Sequence, residues 1–147
     1  MAFYENPLIA RYASLKEEFS FYSDWSERYE LLIEKAKKLE SPLDEIRRPE
    51  YEVPGCLSPV WCRIQMTGGA LHIAGDAEAL APRGILALMM EIFQGASPRA
   101  VLDWQGNPGR DLGLLQNLTP NRARLLDTLL AQIQSVSRAA IKDQGTT

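Results

Sequence analysis

The 147-residue sequence is poor in metal-holding groups, carrying one histidine, His72, and two cysteines, Cys56 and Cys62. Thiols six positions apart with no second histidine match no zinc spacing and leave an iron-sulfur cluster short of ligands, so no resident metal or cofactor is expected. There is no Cys-x-x-Cys pair, no glycine-rich phosphate loop and no Gly-x-Ser-x-Gly turn, which removes the usual signatures of dithiol exchange, nucleotide binding and serine-hydrolase chemistry. Long apolar runs are missing as well. The longest, Ile85 to Met90, falls far short of the ~20 residues that span a bilayer. Nor is there an excess of positive charge: sixteen basic against nineteen acidic residues give a net charge of -3, which argues against nucleic acid as a partner. The first residues lack the basic-then-apolar layout of a secretory signal, so a cytoplasmic, reducing setting with two free thiols is expected.

What is present suits an ordinary globular protein. With 46% hydrophobic and 24% charged residues, a single domain over residues 1–147 can bury roughly 70% of the surface of its unfolded chain. Glu40, Asp44, Glu45, Glu50 and Glu52 outweigh Arg47 and Arg48, so this one segment carries the whole net charge. It reads either as a solvated loop or as a rim facing a partner.

Local patterning divides the chain into helices around a small sheet. Asn6-Pro7 opens a helix from Leu8 to about Phe19, with asparagine as cap and proline in the first turn. Asp24-Trp25-Ser26-Glu27 resembles a capping box and starts a second helix to about Leu39, with Trp25, Tyr29, Leu32, Ile33 and Ala36 on its core face. Leu43 to Glu52 shows no period and is expected to wrap the surface, ending in a short strand at Tyr51 to Val53. From Val60 to Thr67 the pattern alternates, with Val60, Cys62, Ile64 and Met66 facing one way and Trp61, Arg63, Gln65 and Thr67 the other. Gly68-Gly69 turns the chain into a return strand with Leu71 and Ile73 on one face and the surface residue His72 on the other, broken by Gly75-Asp76. A long helix follows, buried through Ile85, Leu88, Met89, Ile92 and Phe93, with Asp76 and Glu78 as candidate caps. Further on, the pattern predicts a short helix from Ser97-Pro98 through Leu102, a turn at Gly106–Gly109 and a helical piece at Leu112–Leu118. A last helix, capped by Thr119-Pro120, buries Leu126, Leu129, Leu130, Ile133 and Val136 and ends raggedly over residues 143–147. The fold class is therefore α+β: a small antiparallel sheet of about three strands with helices packed on it.

The remaining chemistry is that of a thiol. Pro54 fixes its own φ, Gly55 can take angles closed to other residues, and Ser58-Pro59 closes the loop, so Cys56 is presented on a defined turn. A free cysteine can equally be a small buried hydrophobe. As an ordinary thiol Cys56 is only slightly ionised near neutral pH, so it needs a positive neighbour or a good electrophile, such as the outer sulfur of a protein persulfide. Cys62 is in register with the core face of its strand and reads as packing, against the alternative of a resolving partner for Cys56.

Gly55-Cys56-Leu57-Ser58-Pro59-Val60-Trp61 resembles the GCxSxVW motif of the SufE family, the sulfur acceptors of cysteine desulfurases. Trp25 with Arg28-Tyr29 resembles the family's W-x-x-[RK]-Y, Gly75-Asp76 precedes the long helix containing Gly84, and Leu118-Thr119-Pro120-Asn121-Arg122 resembles its L-[ST]-x-x-R. The resemblance runs in order from about Leu15 to Ile141. Departures are Ala77-Glu78 in place of Ser-Asp, Pro82-Arg83 in place of an aliphatic residue and lysine, and the additional Cys62. The resemblance implies a fold shared with iron-sulfur scaffold proteins, with Cys56 as the persulfide carrier and Gly55, Ser58 and Trp61 as supporting residues. Arg122 becomes the arginine beside the cysteine loop, against its plain reading as an exposed first-turn residue. It also implies a non-enzymatic partner of a SufS-like, pyridoxal-phosphate-dependent desulfurase that delivers sulfur to an iron-sulfur scaffold. The rival classes are a thiol peroxidase or reductase using Cys56 and Cys62, or a scaffold itself. With Leu57 and Val60 flanking it, the Cys56 side chain is expected to turn inward against apolar surface.

Overall fold

A hairpin dictated by its turn residues lies at the centre of the fold. In the computed structural model, which describes residues 5–145, β1 (Val60–Thr67) and β2 (Ala70–Ala77) pair antiparallel around Gly68 and Gly69. Both glycines have positive φ, 60° and 77°, as a tight two-residue hairpin turn requires. The register sets Cys62 opposite Gly75, Ile64 opposite Ile73 and Met66 opposite Leu71, so the apolar face of β1 continues across β2. His72 is exposed on the other face.

β2 runs further than its sequence suggests. Gly75 and Asp76 do not break the strand: they pair with Cys62 and Trp61, and Asp76 is fully buried. Burial is tolerated because Arg47 Nε donates to its Oδ2 at 2.7 Å and the Arg83 guanidinium donates to its Oδ1. Neither Asp76 nor Glu78 caps the long helix α4 (Leu80–Phe93), whose N-cap is Ala79 with no side-chain hydrogen bond.

Two strands form the sheet, where about three are expected. The chain covers both edges by other means. On the β1 side, Val53 N–H donates to the Val60 carbonyl at 2.8 Å and Glu52 bridges Trp61, all that forms of the expected strand at Tyr51 to Val53. On the β2 side, the chain leaving α4 exchanges hydrogen bonds with Leu71, from Leu71 N to Ala96 O at 2.9 Å and from Gly95 N to Leu71 O at 2.8 Å. The Gln94 amide completes that edge, accepting from Ile73 N at 2.7 Å and donating to Ile73 O at 2.9 Å.

The helices begin where capping chemistry places them. Asn6 caps α1 (Pro7–Ser20) by accepting from Leu8 N, and its Nδ2 donates to Ala100 O at 2.8 Å. Asp24 caps α2 (Trp25–Lys38), of which Leu32 and Ala36 are fully buried while Trp25, Tyr29 and Ile33 are half-buried. The acidic segment is more ordered than expected: it forms a short helix α3 (Leu43–Ile46) and a tighter single turn (Pro49–Tyr51), pinned by fully buried Ile46. α5 (Pro98–Asp103) follows its Ser97 cap. The expected turn and helical piece after it are exchanged in position. Asn107 caps a short helix α6 (Pro108–Asp111), and residues 112–118 form turns around Gly113, whose φ is 69°, with Leu112 and Leu114 fully buried. α7 (Pro120–Gly145) runs on past the expected ragged point at 143; residues 146–147 lie outside the described residues.

One contiguous apolar core joins these elements. α4 and α7 both pack on the hairpin, α2 lies along α4, and α1 reaches α4 and α5. The approach of α2 to α4 depends on Gly84, where a Cβ would stand 2.6 Å from both the carbonyl oxygen and Cγ of Leu32. No helix among the described residues is long and apolar enough to cross a membrane.

Candidate functional site

The Cys56 loop is built between two backbone anchors. Val53 N–H on Val60 O closes its neck, and Pro59 O accepts from Glu78 N at 3.2 Å. Between them Gly55 has φ 82°, and a Cβ there would touch nothing, so the position needs glycine for its backbone conformation and not for space. The loop lies against the start of α7. A cleft of about 430 Å³ opens at that seam, lined by Cys56, Ser58, Val60, Pro82, Arg122 and Leu125 among others.

The sequence candidates divide on this geometry. Cys56, Ser58 and Arg122 share the cleft; Gly55 shapes the loop without lining it. Trp61 lies outside the cleft on the opposite face of β1, its ring 4.8 Å below the Arg47 guanidinium, where it ties the Asp76 cluster to the sheet. Cys62 is buried on the core face. Both cysteines are free thiols. Burial pushes Cys62 up to about 12, which keeps it a packed, protonated thiol.

Cys56 is half-buried and packs against the core. Of the two neighbours expected to shelter it, Val60 is buried in the same cleft and Leu57 is not. Leu57 is 91% exposed: adjacent side chains of an unwound segment point apart, so turning Cys56 inward turns Leu57 out. Burial first and the charge of Glu52 second raise the Cys56 pKa, so the resting state is the neutral thiol. Arg122 lines the same cleft without offsetting them, and among the described residues its guanidinium makes no hydrogen bond or ion pair. Glu52 belongs to the acidic segment, which therefore reaches the thiol electrostatically.

Asn121 is the residue that sequence reasoning passed over. Its amide faces Gly55 O at 2.7 Å and Leu57 N at 3.3 Å, and the hydrogen-bond partners assign the orientation: Nδ2 donates to Gly55 O and Oδ1 accepts from Leu57 N, since the opposite orientation sets oxygen against oxygen and N–H against N–H. The only signal was its place inside the L-[ST]-x-x-R stretch, and nothing local tied it to the cysteine loop. Among the described residues, no three His, Cys, Asp or Glu side chains gather as a metal site.

Comparison with known proteins decides what this arrangement belongs to. Residues 13–137 match the family model SufE, described as an Fe-S metabolism associated domain. The chain belongs to the SufE family. A solved protein of similar fold, the solution structure of a hypothetical protein from Thermus thermophilus, is 26% identical and superposes with a TM-score of 0.71, over 90% of this chain and 96% of that one. SufE membership and the α+β architecture accord with a role in sulfur transfer for iron-sulfur metabolism.

Proposed function

We propose that this SufE-family protein accepts sulfane sulfur on Cys56 from the persulfide of a cysteine desulfurase and delivers it to an iron-sulfur cluster scaffold. The observation that carries the reading is the contrast between the thiols: Cys56 stands in a surface loop over an open cleft, whereas Cys62 is locked in the sheet's core face. In the transfer, the Cys56 thiolate attacks the outer sulfur of the partner's persulfide. A new S–S bond forms at Cys56, the partner's own S–S bond breaks, and the partner cysteine leaves as a thiolate, so no external oxidant or reductant is consumed. Pyridoxal phosphate belongs to the partner, where it releases sulfur from free cysteine.

The raised Cys56 pKa fits a carrier that rests protonated and is activated on docking. Displacing the loop from its burial lowers the cost of the thiolate, and Arg122, with Arg124, lines the same cleft as a cation that can stabilise it. The peroxidase or reductase alternative would require Cys62 to ionise and leave the core, against its burial and its pKa.

The test is desulfurase turnover, read as alanine release from cysteine. Adding the wild-type protein or Cys62→Ser should stimulate release, and Cys56→Ser should not, while Arg122→Ala should weaken stimulation without unfolding the domain. Stimulation that survives Cys56→Ser would overturn the reading.

A further inference from the structure

We propose that Asn121 is the latch of the Cys56 loop: one side-chain amide on a rigid helix spans the cysteine, and its release frees the thiol. The inference rests on the proposed function for the latch's purpose, whereas the latch itself stands on geometry alone. Asn121 Nδ2 holds the carbonyl of the residue before Cys56, and Oδ1 holds the N–H of the residue after it. This is how a neighbouring strand would grip an extended segment, and Gln94 grips Ile73 similarly at the edge of β2.

The two sides of the latch differ in rigidity. Asn121 follows Pro120 in the first turn of α7, which Thr119 caps through its carbonyl, accepting from Arg122 N and Ala123 N at 3.0 Å each. The loop is fastened at its ends, at Val53–Val60 and Pro59–Glu78. Among the described residues, no other hydrogen bond joins residues 54–58 to another element, so Asn121 is the polar tie at the middle of the loop. Swinging Cys56 outward must break both of its bonds, whereas the anchors can stay. Few other contacts oppose that motion: Pro54 and Gly55 are exposed and the Leu57 side chain already stands in solvent.

The experiment is alkylation of the free, full-length protein by a bulky maleimide at fixed pH, with both thiols followed separately by mass after digestion. Asn121→Ala removes the latch, and Asn121→Leu removes its hydrogen-bonding groups while keeping its volume, which guards against a variant that fails through lost packing. Either substitution should speed Cys56 alkylation by about thirtyfold, in line with the loss of two ordinary hydrogen bonds, while Cys62 stays unreacted. An unchanged Cys56 rate in both variants, or Cys62 accelerating together with Cys56 as in general loosening, would overturn the latch. Sulfur loading by a desulfurase reads the other claim. If alkylation responds to Asn121 but Cys56 takes no sulfur, the latch stands and the carrier reading falls; if Cys56 is loaded while alkylation ignores Asn121, the latch alone falls.

Discussion

Replacing Asp76 by alanine strands two guanidinium groups that its carboxylate holds together. Asp76 is fully buried, with one oxygen given to Arg47 and the other to Arg83, and the two arginines differ in access to water: their side chains are 39% and 20% exposed respectively. Breaking a buried pair by removing one partner costs about 3–5 kcal/mol, and the wetter Arg47 relieves part of that. Asp76→Ala should therefore cost about 3 kcal/mol. Arg83→Ala leaves Asp76 with Arg47 and also frees the Leu39 carbonyl, which Arg83 Nη2 holds at 3.0 Å, so about 2 kcal/mol is expected. Arg47→Ala loses an exposed partner and its stack on Trp61, for about 1 kcal/mol. Urea titration of the three variants at neutral pH measures the series, provided the transitions share one slope. For a chain of this length Asp76→Ala should lower the melting temperature by roughly 6–12 °C. A cost below 1 kcal/mol for Asp76→Ala, or Arg47→Ala proving worse than Arg83→Ala, would refute the reasoning.

Two further perturbations probe other contacts of the fold. Gly84→Ala places a methyl group 2.6 Å from Leu32 O and Cγ and should destabilise by about 1–3 kcal/mol in a thermal melt. Adding Leu32→Ala should not restore stability, because the carbonyl clash remains; full recovery would show that only the side chain was in the way. Tyr12 OH donates to Asp111 Oδ2 at 2.7 Å, and this bond holds the Asp111 carboxyl below its ordinary value. A depressed carboxyl pKa contributes stability above the ordinary carboxylate range and loses it as pH falls, so the advantage of wild type over Tyr12→Phe should shrink below about pH 4. A difference independent of pH would reject that contribution.

What the sequence made legible was local. The Gly-Gly hairpin, the apolar stripe of α4 and the caps of α1, α2, α5 and α7 follow from residues a few positions apart. Two of the misreadings, Asp76 and the third strand, come from distant partners. Asp76 looked like a helix cap because capping is the usual use of an isolated aspartate before a helix, and only the arrival of Arg47 from the end of α3 and Arg83 from α4 makes it a buried strand residue. The sheet needed no third strand because Gln94 to Ala96 and Val53 cover its edges by single contacts that leave no alternating pattern. α6 was hidden because its four residues have no periodicity to display. At the candidate site, Pro54-Gly55 announced the turn that presents Cys56. The cleft was not legible, since its far wall comes from the start of α7 and from Pro82, and neither was the Asn121 amide spanning the cysteine.

The most direct test of the account is the intact mass of the protein after incubation with a pyridoxal-phosphate cysteine desulfurase and cysteine, measured without reductant. Wild type and Cys62→Ser should each gain the mass of one sulfur atom, lost again on reduction, and Cys56→Ser should gain none. A wild type that stays unmodified beside an active desulfurase, or sulfur carried on Cys62 when Cys56 is replaced, would contradict the assignment of Cys56 as the carrier.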